Sequence, residues 1–271
     1  MPSTSPPRGP GRTTADTLVR STLSLGDAAL RADYVLSVLR EWDVGPLARA
    51  LDAVCERAEQ AEAAAREALL SIVDALNAAG MDERVQRLRE EAAGESLLAL
   101  ERLLRQPVHG PRAGAADAKG KNVRVSLVAG GRPLSLGERK SLARRPDRDT
   151  MEHLLADPHP DVIHRLLRNP RVLEDDVVRL AARRPGRGDV LAEIARSTKW
   201  AHRPRVRMAL VMNPATPGPI AARIAGLLLR PELELVARSP AVPAPVRAVC
   251  IEHLERRPPV APADADEEHV H

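Results

Sequence analysis

One short sequence pattern occurs twice, 44 residues apart. The stretch HPDVIHRLLRNP at residues 159–170 and the stretch RPRVRMALVMNP at residues 203–214 carry Pro, Val, Leu, Asn and Pro at the same places. Arg179-Leu180-Ala181 recurs at the same offset as Arg223-Ile224-Ala225. Pro removes a backbone donor and moves the preceding residue out of the α region, so each Asn-Pro ends one helix and begins the next. The period predicts stacked helical hairpins of roughly 22 residues, each burying its apolar face against its neighbours.

The composition agrees with a helical chain. The 271 residues include no Phe, one Tyr and two Trp, so Ala, Leu and Val must form the core. Ala, Leu, Arg and Glu lose little side-chain freedom in a helix, and their abundance favours helix over sheet. We therefore expect an all-α fold.

The N-terminal region predicts a helical hairpin. Residues 26–43 read as one helix, and small or apolar residues then recur in alternating steps of three and four from Leu47 to Leu76, as on one long helix. Gly80 turns the chain, and a second apolar stripe runs from Val85 to Leu104. Two interpretations remain open: a hairpin that docks on its own neighbours, or a coiled coil that dimerises.

The chain divides into five predicted segments. We expect a disordered tail at 1–15, the helical hairpin region at 16–105, a linker at 106–133, an α-solenoid at 134–254 and a disordered acidic tail at 255–271. The linker is rich in Gly, Pro and Ala, which predicts that the two helical regions are separate. A short strand or hairpin is expected within its sequence VRVSLVAGG.

The back half resembles a known class of repeat. LLRNPRVLEDDVVRLAARRP, VRMALVMNPATPGPIAARI and LELVARSPAVPAPVRAVCIEHL are similar to bacterial α-solenoid repeats of the leucine-rich repeat variant and HEAT-like type. The resemblance covers residues 134–254, about half of the chain. It implies a binding scaffold and carries no particular activity. The unequal units, and the segment GRGDVLAEIARSTKWAHRP in particular, depart from the repeat pattern.

No motif predicts catalysis, a metal or a cofactor. Glu174, Asp175 and Asp176 open a predicted helix, where acids favour the positive end of the helix dipole. A group of His and Asp residues between 153 and 164 is interrupted by Pro158 and Pro160, which indicates solvent-facing side chains rather than metal ligands. The sequence contains no G-x-S-x-G, H-E-x-x-H or C-x-x-C motif. We expect no catalytic residues, no metal site and no cofactor.

Basic residues give the strongest functional signal. Residues 119–260 contain 27 Lys and Arg against 15 Asp and Glu, whereas residues 1–118 contain 14 against 18. The excess is greatest between residues 179 and 207, which predicts either a strip that binds phosphates or acidic peptides, or a solvated surface rich in arginine. The candidate binding residues of this predicted strip are Arg179, Arg183, Arg184, Arg187, Lys199, Trp200, Arg203, Arg205 and Arg207.

These features favour a non-enzymatic scaffold or adaptor that binds a protein partner along the solenoid. The alternative is a module that binds duplex nucleic acid through its phosphate backbone. We expect neither a membrane association nor a small-molecule substrate. The two cysteines are too far apart in sequence to suggest a disulfide framework, and the N-terminus has no secretory signal, so a cytoplasmic location is expected.

Overall fold

A computed structural model describes residues 10–107, 128–129, 132–144 and 146–257. Within these ranges the chain forms sixteen helices and two strands of two residues each, so the predicted all-α class is confirmed. The first six helices are α1 Pro10–Ser24, α2 Ala28–Glu41, α3 Val44–Glu59, α4 Ala63–Asn77, α5 Asp82–Glu95 and α6 Leu98–Leu103. We call them the N-terminal bundle.

The remaining ten helices form the repeat body. They are α7 Leu136–Leu142, α8 Arg148–Leu155, α9 Pro160–Leu167, α10 Glu174–Ala182, α11 Gly188–Ala195, α12 Thr198–Ala201, α13 Pro204–Met212, α14 Gly218–Ala225, α15 Arg230–Arg238 and α16 Ala244–Arg256. The strands β1 Val128–Ala129 and β2 Arg132–Pro133 pair antiparallel in front of α7. The strand expected within VRVSLVAGG is β1, and its partner β2 lies just after that stretch.

The N-terminal bundle differs from the predicted hairpin. The single helix expected from Leu47 to Leu76 is two helices, because α3 ends at Glu59 and Ala61 adopts a left-handed conformation with φ +65°. The apolar repeat continues across this break, so periodicity alone did not reveal it. Gly80 has φ +79° and turns the chain between α4 and α5, as predicted. The tail expected at 1–15 is also too long, since α1 begins at Pro10.

The first helices surround one aliphatic core. The helix α3 lies at the centre of the bundle and contacts α1, α4, α5 and α6. All six helices contribute completely buried long side chains to this core; they include Leu18, Leu39, Leu47, Leu51, Ile72, Leu88 and Leu100. The bundle therefore buries its own stripe of apolar residues, which agrees with the docking interpretation of this region.

The Asn-Pro and Ser-Pro sites form the same kind of turn between helices of the repeat body. Each of Asn169, Asn213 and Ser239 follows a helix, and its carbonyl accepts a hydrogen bond from the amide three residues later, over 3.2, 3.0 and 3.3 Å respectively. The residue that closes each turn is buried. Leu166 and Leu210, which occupy equivalent places in α9 and α13, are also completely buried. Residues that recur in the sequence therefore have the same place in the turn or helix of each copy.

Two buried asparagine side chains tie these turns to a neighbouring helix end. The Nδ2 atom of Asn169 donates to the carbonyls of Ala143 and Arg144, over 3.3 and 2.9 Å. The Nδ2 atom of Asn213 donates to the carbonyls of Ala181 and Arg183, over 2.7 and 3.0 Å. Carbonyls at a helix C-terminus lack hydrogen-bond donors within the helix, and here the asparagine side chain donates to them. Each asparagine therefore connects the ends of two helices through its hydrogen bonds.

The spacing of the units is unequal. Asn169 and Asn213 are separated by α10, α11, the four-residue α12 and α13, whereas Asn213 and Ser239 are separated only by α14 and α15. Trp200, in the segment that departs from the repeat pattern, is buried and donates from Nε1 to the carbonyl of Leu167 over 2.8 Å. The segment that departs from the repeat pattern thus adds buried residues between Asn169 and Asn213, and the shorter unit between Asn213 and Ser239 has no counterpart to them.

The two helical regions are in contact, although the linker predicts that they are separate. The helix α14 packs against α4 and α6, and α12 packs against α2. Arg223 donates to the carbonyl of Leu76 and to Oδ1 of Asn77, over 3.3 and 2.6 Å, and Arg196 donates to the carbonyl of Asn77 over 3.2 Å. The end of α4 is therefore held by two arginines of the repeat body. We call this contact the junction.

Candidate anion-binding groove

Three members of the predicted basic strip are bound to carboxylates. Arg179 lies 2.6 Å from Asp176, and Arg187 lies 2.7 Å from the carboxylate of Asp189, two residues further along the chain. Arg205 lies 2.6 Å from the carboxylate of Asp175. Arg187 and Arg205 are therefore partly neutralised, whereas Arg179 shares Asp176 with Arg148.

Two further members are buried. Trp200 and Arg207 are 3% and 8% exposed, and Nη1 of Arg207 donates to the carbonyl of His202 over 3.0 Å. Burial lowers the pKa of Arg207, because a charged guanidinium loses hydration in the interior. Both residues hold the repeat body together and lie beneath its surface.

Four members of the strip remain on the surface. They are Arg183, Arg184, Lys199 and Arg203. Arg184 donates to the carbonyl of Met212 over 2.8 Å, and the ammonium of Lys199 lies 4.2 Å from the centre of the Trp200 ring. Burial and the nearby Arg203 lower the pKa of Lys199. The strip therefore contributes fewer free charges than its sequence predicts, and its role in binding stays a prediction.

A different basic site lies at the end of α7 and α9. The structure has a groove of ≈ 280 Å³ there. Its lining residues are Arg144, His164, Arg165, Arg168, Asn169 and Pro170. We call it the arginine groove. Arg144 and Arg168 are exposed, and Arg165 is half-buried.

The fold fixes the position of this groove. The helix α9 carries His164 and Arg165 on its last turn, and Arg168 follows directly after it. The carbonyl of Arg144 accepts a hydrogen bond from Asn169, so the backbone that carries Arg144 is tied to the end of α9. Nδ1 of His164 lies 3.0 Å from the carboxylate of Glu193 in α11, which anchors the imidazole at one side. The groove is thus formed before any partner arrives.

The three guanidinium groups of the groove are unpaired. Within the parts of the chain that the structure describes, no side-chain hydrogen bond or ion pair engages Arg144, Arg165 or Arg168. Arginine keeps its positive charge at any physiological pH, and each guanidinium has five N–H donors. Three fixed charges and their donors are therefore available to an anion.

The second copy forms the same turn without arginines at these two places. In the second copy, 44 residues later, Ala209 and Met212 stand at the places of Arg165 and Arg168. The helix α13 nevertheless ends in the same turn and the same asparagine contacts as α9. The structural positions agree between the copies, whereas the groove positions differ. The turn and its asparagine contacts therefore do not require an arginine at either place, and in the second copy Ala209 and Met212 pack against the core there.

The sequence did not reveal this groove, because the largest local excess of positive charge lies at residues 179–207. Arg165 and Arg168 stand inside the pattern HPDVIHRLLRNP, where they looked like ordinary members of a repeat. The signal was the difference between the two copies, because the first has arginines at the places where the second has the apolar residues Ala209 and Met212. Arg144 follows α7, with α8 between it and α9 in the chain, and only the fold brings it to the same place.

The His and Asp residues between 153 and 164 are largely engaged in other contacts. Asp157 lies beside Arg139, which donates to it over 2.6 Å, and Asp161 lies 2.7 Å from Lys140. Among the described residues there is no group of three or more His, Cys, Asp or Glu side chains placed to hold a metal ion. Asp176, the last of the three acids that open α10, accepts a hydrogen bond from the amide of Leu173 over 3.1 Å, as expected for a capping residue.

No family model, curated protein or solved structure matches this chain. In the described ranges, every helix is too short or too polar to cross a membrane.

Proposed function

We propose that the protein is a non-enzymatic scaffold of the helical-repeat kind, resembling leucine-rich repeat variant and HEAT-like solenoids, which binds an acidic segment of a protein partner on its repeat body. The observation that supports this most is the arginine groove, in which Arg144, Arg165 and Arg168 stand without acidic partners on a surface fixed by a buried asparagine. A preformed site loses little conformational entropy on binding. An acidic segment fits because guanidinium groups bind carboxylates and phosphates through paired N–H donors.

A peptide selection tests this proposal. Random peptides displayed on phage are selected against the whole chain, and the selection is repeated with Arg165→Ala/Arg168→Met, which writes the residues of the second copy into the first. We expect acidic peptides to be enriched by the parent and not by the variant. The control variant Arg238→Met/Arg256→Ala removes the same charge at two exposed helix-end residues outside the groove and should select like the parent. Enrichment that is absent, or equal for all three proteins, would refute the proposal.

The second candidate function is binding to the phosphate backbone of a duplex. Arg183 and Arg203 favour it, because both are exposed and lack a side-chain partner among the described residues. Binding of this kind releases counterions, so the logarithm of the affinity falls by ~0.9 per phosphate for each unit of log salt. Anisotropy of a labelled duplex, measured for the parent and for Arg183→Glu/Arg203→Glu/Arg205→Glu at several salt concentrations, decides it. A steep slope that the variant loses would favour the duplex over a protein partner.

We also propose a cytoplasmic location and no cofactor. Cys55 and Cys250 support the location, because both are free and buried, as expected of a chain that folds in a reducing compartment. Burial raises the pKa of both thiols, which keeps them protonated and unreactive.

A further inference from the structure

We propose that the arginine groove recognises a phosphorylated serine or threonine of the partner protein, with Arg144, Arg165 and Arg168 around its phosphoryl group. This inference rests on the proposed scaffold function and specifies the chemistry of its partner. It concerns a site formed by two helices, α7 and α9, rather than the strip at residues 179–207 that the sequence predicts.

The number of charges in the groove favours a phosphoryl group over a carboxylate. A phosphorylated side chain carries a charge of about −1.5 to −2 near pH 7 and offers three strong acceptor oxygens. A carboxylate carries a single charge and is satisfied by one arginine that binds both of its oxygens. Three unpaired arginines line one groove, which is more positive charge than a single carboxylate needs.

The size of the groove agrees with one such group on a peptide. The volume of ≈ 280 Å³ corresponds to about nine water molecules, at roughly 30 Å³ each in the liquid. A phosphoryl group together with part of the peptide that carries it fits in that space. Pro170, which also lines the groove, presents an apolar surface on which the flanking residues of the peptide can rest.

The surroundings of the groove disfavour a long polyanion. A duplex carries one negative charge for every 1.7 Å or so of its axis, and it needs an extended row of free cations. The groove offers three, and Glu193 lies beside it, 3.0 Å from His164. Of the arginines that follow in the chain, Arg179, Arg187 and Arg205 are already bound to carboxylates, and Arg171 donates to the carbonyl of Pro146 over 3.3 Å.

Stabilisation of the helix ends does not account for the arginine cluster. A cation near a helix C-terminus interacts favourably with the helix dipole, and Arg144 and Arg168 both stand at such ends. However, Met212 ends α13 in the second copy without a charge at this place. In the third copy Leu235 and Arg238 stand at the places of Arg165 and Arg168, so a single arginine is present there without the cluster. Arg238 therefore provides a control for the effect of one isolated charge.

The test compares three fluorescent peptide libraries that share degenerate flanking positions and carry phosphoserine, serine or glutamate at the centre. Each is titrated against the full chain at physiological salt, and inorganic phosphate is used as a competitor. We expect the phosphoserine library to bind at least tenfold more tightly than the glutamate library and to be displaced by phosphate. The serine library should show no binding. Arg165→Ala/Arg168→Met should weaken phosphoserine binding by at least about tenfold, since hydrogen bonds between charged groups are lost.

Two controls accompany the variant. Arg238→Met/Arg256→Ala should bind like the parent, and circular dichroism should show unchanged helicity for both variants, because all four side chains lie at least partly on the surface. Equal binding of glutamate and phosphoserine libraries would overturn the phosphoryl site and leave an acidic-peptide scaffold in place. Phosphoserine binding that is absent, or that the groove variant retains, would also overturn the inference. Tighter binding of a duplex than of the phosphoserine library would reassign the groove to nucleic acid.

Discussion

Arg223 donates from Nη1 to Oδ1 of Asn77 over 2.6 Å and joins two residues that lie 146 positions apart in the sequence. Arg223 is 7% exposed, and burial lowers the pKa of its guanidinium to about 10, so the residue remains charged at neutral pH. Arg179, its equivalent 44 residues earlier, has a side chain that is 64% exposed and is paired with Asp176. The arginine at this repeat position is thus exposed in one copy, and in the next it is buried and forms part of the junction.

The first prediction concerns this pair of equivalent arginines. Arg223→Ala should lower the free energy of unfolding by about 2 kcal/mol or more, because it leaves the buried oxygens of Leu76 and Asn77 without their charged donor. Arg179→Ala should change it by less than about 1 kcal/mol, as is usual for an exposed ion pair. Urea denaturation of the full chain measures both. Equal effects of the two substitutions would show that the junction adds little to stability.

The second prediction concerns the buried asparagines. Asn169→Ala and Asn213→Ala should each cost about 1–3 kcal/mol, since each removes two donors from helix-end carbonyls and the acceptor of one amide. Ser239→Ala, at the equivalent place in the third copy, is the control and should cost less. Thermal melts followed by circular dichroism provide the comparison. An asparagine variant that melts with the parent would mean that water replaces these hydrogen bonds.

The third prediction concerns two glycines. A Cβ atom at Gly186 would lie 3.0 Å from both polar side-chain atoms of Asn213 and 3.1 Å from Cβ of Ala215. Asn213 cannot move without losing its hydrogen bonds, so Gly186→Ala should lower the melting temperature. Gly137 lies in α7 with nothing within 4 Å of its added Cβ, and Gly137→Ala should raise the melting temperature by removing backbone freedom from the unfolded chain. The opposite signs of the two changes are the result to look for.

The fourth prediction concerns pH and His253, a buried residue of α16. Burial, aided by Arg257, Arg102 and Arg105, lowers the pKa of its imidazole to about 3. Glu59 lies 3.7 Å away, but both of its oxygens accept hydrogen bonds from Arg102. The folded protein therefore keeps this histidine neutral at pH values where the unfolded chain protonates it.

The sign of the pH effect follows from that difference. The contribution of the neutral His253 to the free energy of unfolding is fully present above pH 6.5. It is lost as the pH falls from 6.5 towards 3, and the free energy of unfolding then changes by up to about 1.4 kcal/mol per pH unit. Urea denaturation at several pH values between 7 and 5 should show this loss in the parent and a smaller slope in His253→Gln. The slope is the readout, because the substitution also changes stability at neutral pH. Parallel slopes would mean that His253 is hydrated in the folded protein.

The sequence predicted the local features of this fold well. Pro160 and Pro204 open equivalent helices, and Gly80 turns the chain, because these residues restrict or extend the allowed backbone angles by themselves. The break at Ala61 was missed, since the apolar period runs through it and the turn depends on how α3 and α4 pack. Local chemistry therefore predicted the helices of the repeat better than the course of the N-terminal chain.

Contacts between distant segments could not be read from the sequence. The carboxylate of Glu59 is bound by Arg102, and Arg105 of the N-terminal bundle is paired with Glu252 of α16. Nothing in the composition of either region marks these partners. The arginine groove has the same origin, because Arg144 reaches Arg165 and Arg168 only when α7 and α9 are packed together.

The junction has a consequence for how this chain can change over evolutionary time. Repeat arrays commonly lengthen by duplication of a unit, because each unit needs only its immediate neighbours. Here α14 also rests on α4 and α6, and Arg223 reaches the end of α4. A unit inserted between residues 169 and 213 would move α14 away from these helices by about the 8–10 Å that separates packed helices. A duplication at this place would therefore break the contacts of α14 at the junction, a cost that an open array does not have.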